Sequence, residues 1–116
     1  MLPAVPSEKR AGAERALANG LFHLATARTL LHAREFRRAG LAFVDPGTPA
    51  SGKELARKAL LDVIARERDN VRRAIPAVEA DSALGWEPMM RYVCGRPNLE
   101  WKLRQLDEAE RTIKAR

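Results

Sequence analysis

The sequence predicts an all-α fold: an antiparallel three-helix bundle with a long aromatic-rich loop between helices 2 and 3. Three observations carry this. Two long stretches, and a shorter one near the C-terminus, repeat apolar residues at helical spacings of three and four. No segment of useful length alternates with the period of a strand. Connections of about ten residues separate the periodic stretches, which suits antiparallel neighbours. The 116 residues read as a single helical domain spanning 1–116, with chain enough for one core without metal or disulfide.

Residues 1–6 hold two prolines and no periodic pattern, so they read as a loose lead-in. Helix 1 is expected over 7–39. Ser7 is a suitable N-cap, with Arg10 standing where a capping box would have Glu. Ala13, Leu17, Leu21, Leu24 and Leu31 form one stripe, and Phe22, Leu30 and Phe36 a flanking one, so the helix should be contacted from two sides. Gly20 interrupts the pattern at a cost of about 1 kcal/mol against Ala, which reads as close packing on a neighbouring helix. Gly40 is placed to cap the end, with Arg37 and Arg38 in the last turn complementing the helix dipole. Asp45-Pro46-Gly47 is turn chemistry, and Pro49 keeps the connection extended. Leu41, Phe43 and Val44 should tuck back onto the core.

Helix 2 is expected over 51–80. Ser51 and Glu54 have the spacing of a capping box. Leu55, Ala59, Val63, Glu67, Val71, Ala74 and Val78 mark its face, with Leu60, Ile64 and Ile75 beside it and Asn70 near enough to hydrogen-bond within it. Pro76 removes one backbone hydrogen bond, so a kink or a break is expected near Ile75. A loop over 81–97 follows. Helix 3 is expected over 98–114, with Asn98 as N-cap and Leu99, Leu103, Leu106, Glu110 and Ile113 on one stripe. Trp101 lies off that stripe, where it can pack back onto the loop.

Composition excludes more than it assigns. One cysteine, Cys94, excludes an internal disulfide and a cysteine-based zinc site. The N-terminus lacks the apolar region of a signal peptide, and no apolar run approaches the roughly 20 residues that span a bilayer, so a soluble chain with no membrane partner is expected. Net charge is +6 with a pI near 10.2, but 16 of the 21 basic residues are Arg and 20 residues are Ala. That joint excess follows as easily from GC-rich codon usage as from selection for phosphate contacts. The charge is also dispersed, the largest share being +4 on residues 1–38, from seven basic and three acidic side chains.

Catalytic constellations are not found. His23 and His32 are nine residues apart, two and a half helical turns, and face opposite sides. No metal-ligand spacing appears, no base stands near Cys94, and neither cofactor nor catalytic residues are expected. Arg28, His32 and Arg38 make a basic face on helix 1 with Arg34 and Arg37 nearby, but only Phe36 interleaves it, so nucleic acid is not the expected partner.

The unusual stretch is 79–101, EADSALGWEPMMRYVCGRPNLEW. It holds both tryptophans, the only tyrosine and the only cysteine. Glu79, Asp81 and Glu87 flank Gly85-Trp86. An indole beside carboxylates suits a sugar, whose apolar face stacks on the ring while the acids hold hydroxyls. Glycoside hydrolysis would need two carboxyls about 5–10 Å apart. The plainer reading has the acids capping helix ends and pairing with Arg91, Arg96 or Lys102.

The segments VEADSALGWEP, MxxY and LEWKLRQL resemble the C-terminal helical region of large bacterial glycoside-hydrolase-like proteins related to α-glucuronidases. The matching residues are Val78, Glu79, Asp81, Ser82, Leu84, Gly85, Trp86, Glu87, Pro88, Met90, Tyr92, Leu99, Trp101, Lys102, Arg104 and Gln105. Ala83, Met89 and Arg91 stand where the pattern has Arg, Ser and Glu, and Cys94-Gly95 where it has Thr-Asp. The resemblance implies a non-catalytic accessory domain, or a C-terminal fragment, of a carbohydrate-active protein whose catalytic barrel lies N-terminal to this region. Its partner would be that catalytic domain or another protein chain, with a carbohydrate contact at the loop. Glu79, Asp81, Trp86, Glu87, Tyr92 and Trp101 are the ligand or interface candidates. Because the departures fall on polar positions, the loop is expected to act as an apolar plug across the bundle end, with Trp86 and Trp101 largely buried. The alternative is a small basic helical protein that binds nucleic acid or a protein partner.

Overall fold

A computed structural model of the chain describes residues 7–80 and 95–116. These residues are all helical apart from short connections, with no strand among them. The helices are α1 (Ser7–Val44), α2 (Ala50–Ala80) and α3 (Arg96–Ala115).

The boundaries follow local chemistry, with four departures from expectation. α1 passes through Gly40 and ends at Val44, because Leu41, Ala42 and Phe43 keep the helical spacing and Phe43 packs on the core around Leu60 and Ile64. The chain stops at the turn instead: Asp45 Oδ1 accepts the Gly47 N–H at 2.9 Å, and the Asp45 carbonyl accepts the Thr48 N–H at 3.1 Å. α2 begins at Ala50, so Ser51 lies inside the first turn and not at the cap. Gly52 suits that turn, since a Cβ would stand 2.9 Å from Thr48 Cγ2 and would make that methyl shift. α2 also runs through Pro76 to Ala80 without a break. α3 starts at Arg96, earlier than expected. Gly95, with extended backbone, is its N-cap and Pro97 lies in its first turn, where a missing N–H costs nothing. The Gly95 carbonyl accepts from Asn98 N and Leu99 N, both at 3.1 Å.

α1 and α2 pack closely, and α3 packs on α2. Two apolar clusters hold them. Ala18, Phe22 and Ala77 form one, with Val78 against it. Ala39, Leu60, Ile64 and Ile113 form the other, backed by Phe43, Leu61, Leu106 and Ala109. Leu60 is 2 % exposed. A side chain of that size contributes roughly 2 kcal/mol by leaving water.

The face that α1 buries is not the expected one. Ala18, Phe22, Ala25 and Ala39 are buried, whereas Leu17, Leu21, Leu24 and Leu31 are exposed. Both stripes repeat every four and three residues, and they differ by one residue, a rotation of about 100°. The leucine stripe continues through Arg28, Glu35 and Arg38, so burying it would desolvate three charges. The other stripe continues through Thr29, His32 and Phe36 to Ala39 and Phe43 with no obligate charge, and its alanines let two backbones approach. On α2 the face from Leu60 to Ala77 is buried as the periodicity predicts, but Leu55 is exposed. α3 buries Ile113 and half-buries Leu99, Leu103, Leu106 and Glu110.

Candidate functional site

Between the two apolar clusters lies a polar centre. Glu67 of α2 is only 6 % exposed, and Asn70, one turn on, 4 %. Glu67 Oε1 accepts from Thr29 Oγ1 at 3.1 Å, from His32 Nδ1 at 3.0 Å and from Asn70 Nδ2 at 3.0 Å. Its Oε2 accepts from Lys102 Nζ of α3 at 2.6 Å. Facing a carboxylate that can only accept, His32 Nδ1 carries the proton. Burial alone would raise the Glu67 pKa. The hydrogen bonds from Lys102, His32, Asn70 and Thr29 together outweigh it and hold the carboxyl below its ordinary value. Asn70 Nδ2 also donates to the Ala25 carbonyl at 2.8 Å and to Thr29 Oγ1 at 3.1 Å. The centre therefore ties all three helices through one ionised side chain, with three donors on Oε1 and one on Oε2, and it reads as a positioning device for the bundle.

Three hollows adjoin this centre, one of them, of about 200 Å³, lined by Phe22, Thr29, Asn70, Val71, Leu99 and Lys102. A groove of about 300 Å³ opens between α1 and α3 and is floored by α2. Ala33, Phe36, Val63, Ile64, Leu106 and Ala109 make it apolar, with Glu67 and Lys102 among its lining. The third hollow, of about 240 Å³, lies between α1 and α2 and is lined by Arg28, His32, Arg66, Asp69, Asn70 and Arg73. Arg66 is committed, to Glu35 and to Asp62. Neither Arg28 nor Arg73 forms an ion pair with any described residue. The buried Oδ1 of Asn70 has no hydrogen-bond partner among the described residues.

Beside the third hollow runs the exposed leucine face of α1: Leu17, Leu21, Leu24 and Leu31, with Arg28 between the last two. Gly20 lies on the same side. A Cβ built there meets nothing within 4 Å, so the close packing expected of it is not made within the described chain. Four leucines on one helical face go beyond the scattered apolar residues of an ordinary surface.

Of the residues singled out in 79–101, Asp81, Trp86, Glu87 and Tyr92 lie outside the described residues. Glu79 Oε1 accepts from Arg96 Nη1 at 2.5 Å, joining the ends of α2 and α3, and Arg96 also donates to Glu100 at 2.7 Å. Glu79 is thus a helix-end pairing residue, as the plainer reading had it. Trp101 is 55 % exposed, which corrects the expectation of a buried indole. Its position, off the Leu99–Leu103–Leu106 stripe, turns it away from α2. The one ring contact among the described residues is the edge-on pair Phe22–His23, with centroids 5.8 Å apart, and no aromatic cluster forms there.

The leucine face could have been found as a surplus, since α1 offers two complete stripes to a single packing partner. The Glu67 centre was visible only as a charged residue on an apolar face. Among the described residues no helix is long and apolar enough to cross a membrane, and no group of three or more His, Cys, Asp or Glu is placed to hold a metal ion. Set against protein-family models, curated protein sequences and solved structures, the chain matches none.

Proposed function

We propose that this chain is a non-catalytic helical module that docks on another protein surface through the leucine face of α1. The carrying observation is the exposed stripe Leu17, Leu21, Leu24 and Leu31 on a helix whose other stripe already supplies the core. By the family resemblance, the surface it covers would be the catalytic domain of a carbohydrate-active protein, and the chain an accessory domain or C-terminal fragment of it. The antiparallel three-helix bundle belongs to the same reading. It is supported by the order of contacts, with Ala25 opposite Asn70, Thr29 opposite Glu67 and Glu35 opposite Arg66, and on α3 with Arg96 near Glu79, Lys102 near Glu67 and Lys114 near Arg57.

The test replaces Leu17, Leu21, Leu24 and Leu31 by Gln. An unmasked docking face should bind an apolar dye in the parent chain and lose that binding in the variant, with helicity and urea midpoint retained. A variant that unfolds would place the leucines in the chain's own core and end the reading. A carbohydrate contact at the exposed Trp101 is tested separately, by titrating tryptophan fluorescence with uronic-acid oligosaccharides. An unchanged signal up to millimolar ligand in folded protein would remove it and leave the docking role standing.

A further inference from the structure

We infer that the occupant of the α1 face is an acidic amphipathic helix of a partner protein, which lays its apolar side on Leu17–Leu21–Leu24–Leu31 and inserts a carboxylate between Arg28 and Arg73. The inference rests on the docking role proposed above and adds to it what the partner must be. Three observations carry it. First, the leucines are spaced at four, three and seven residues, the spacing a second helix presents in return. Secondly, the stripe runs into net positive charge, since its one acid there, Glu35, is taken by Arg66. Arg28 lies within it, and Arg34 and Arg38 continue past its C-terminal end, none with an ion-pair partner among the described residues. Thirdly, Arg28 is one wall of the hollow that Arg73 shares. Asn70, 4 % exposed, lines the same hollow, so its floor is polar as well as its walls.

Charge also selects among occupants. A second copy of this chain would bring its own Arg28, Arg34 and Arg38 to the same face, placing like charges across the contact, which opposes association. A nucleic acid would satisfy the arginines but leave four leucines against a phosphate backbone. An acidic helix satisfies both halves. The acids on this side are Glu14, paired with Arg10, Glu35, held by Arg66 of α2, and Asp69, which lines the hollow but is outnumbered there by Arg28, Arg66 and Arg73.

The experiment uses three designed helical peptides, each about four heptads long with leucine at the core positions. They differ only in flanking residues, which are Glu, Gln or Lys. Binding to the full chain is followed by fluorescence anisotropy at about 0.05 M and about 0.3 M salt. The Glu peptide should bind at least about tenfold more tightly than the Gln peptide, and the Lys peptide most weakly. The Glu advantage should shrink at the higher salt and disappear in Arg28→Gln/Arg73→Gln. Leu21→Gln/Leu24→Gln should weaken Glu and Gln peptides alike. All four replaced side chains are exposed, so the variants keep the fold, checked by circular dichroism.

Equal binding of the Glu and Gln peptides, lost in the leucine variant, would overturn the acidic partner and leave the docking role intact. Binding of no peptide, or binding indifferent to the leucines, would overturn both. Self-association of the chain that the leucine variant abolishes would make a second copy the occupant. Duplex DNA bound more tightly than the Glu peptide, and released by the arginine variant, would make the occupant nucleic acid. Either result overturns the inference.

Discussion

Lys102 Nζ on α3 donates to Glu67 Oε2 on α2 across 2.6 Å, while the other oxygen of the same carboxylate is held from α1 by Thr29 and His32. One side chain thus fixes where both flanking helices sit along α2. Glu67→Ala would remove the shared acceptor of four donors at once. The expected loss is about 3 kcal/mol, read from urea unfolding. Lys102→Met should cost about 1 kcal/mol or less, since its ammonium stands partly in water. Equal losses from the two variants would mean that α3 alone depends on the carboxylate.

The same carboxylate makes stability fall in acid. Its native pKa lies below the ordinary value of 4.5, so near that pH the folded chain binds fewer protons than the unfolded one. Its contribution is fully present above pH 4.5 and is lost as pH drops through the native value. The hydrogen bond from Arg66 to Glu35, and those from Lys114 and Arg68 to Glu110, push in the same direction. The urea midpoint should be flat from neutral pH down to about 5 and then decline. Glu67→Gln should decline less steeply over that range, and an unchanged slope would remove Glu67 as a source.

The two faces of α1 and α2 should respond oppositely to truncation. Leu60 is enclosed by Ala39, Ile64 and Ile113, so Leu60→Ala should cost about 3 kcal/mol, the transfer loss plus a cavity. Leu31→Ala on the exposed stripe should stay within about 0.5 kcal/mol. Thermal melts decide this, and a large loss at Leu31 would reassign the faces.

Gly20→Ala should stabilise the isolated chain by about 0.5–1 kcal/mol. The position is inside α1 with open space where the methyl would go, and Ala removes conformational freedom only from the unfolded chain. A destabilised variant, measured by urea unfolding, would show that something does pack there.

Helix number and most of α2's buried face were legible, because periodicity over long stretches reports which side turns inward. The inward face of α1 was not, because apolar size pointed to the leucines. What decided it was charge. Of the two stripes, only that of Ala18, Phe22, Ala25, Thr29, His32 and Ala39 can be followed without meeting an obligate ion, and it alone offers Thr29 and His32 to Glu67. Asking which stripe stays uncharged would have found the core, and with it the surplus face. The end of α1 was missed for a similar reason, as tertiary contact at Phe43 outweighed the cap signal of Gly40. Trp101 was expected inside because of its size, although its place off the α3 stripe already turned it outward.

α3 rests on α2 through the apolar Leu106, Ala109 and Ile113 and otherwise through polar ties: Arg68 to Asp107 and Glu110 at 2.9 and 2.8 Å, Lys102 to Glu67, Arg96 to Glu79, and Arg57 to the Lys114 carbonyl. Among the described helices it is the one packed least closely, and so the one to lift away while α1 and α2 stay joined. Such an opening would break the Lys102 bond, flood the apolar groove and hydrate Glu67 with no global unfolding. Amides of α3 would then exchange with solvent deuterium sooner than those around Leu60 on α2. Added salt, by loosening the Arg68 pairs, would widen that difference, making ionic strength a dial on how often the groove is accessible.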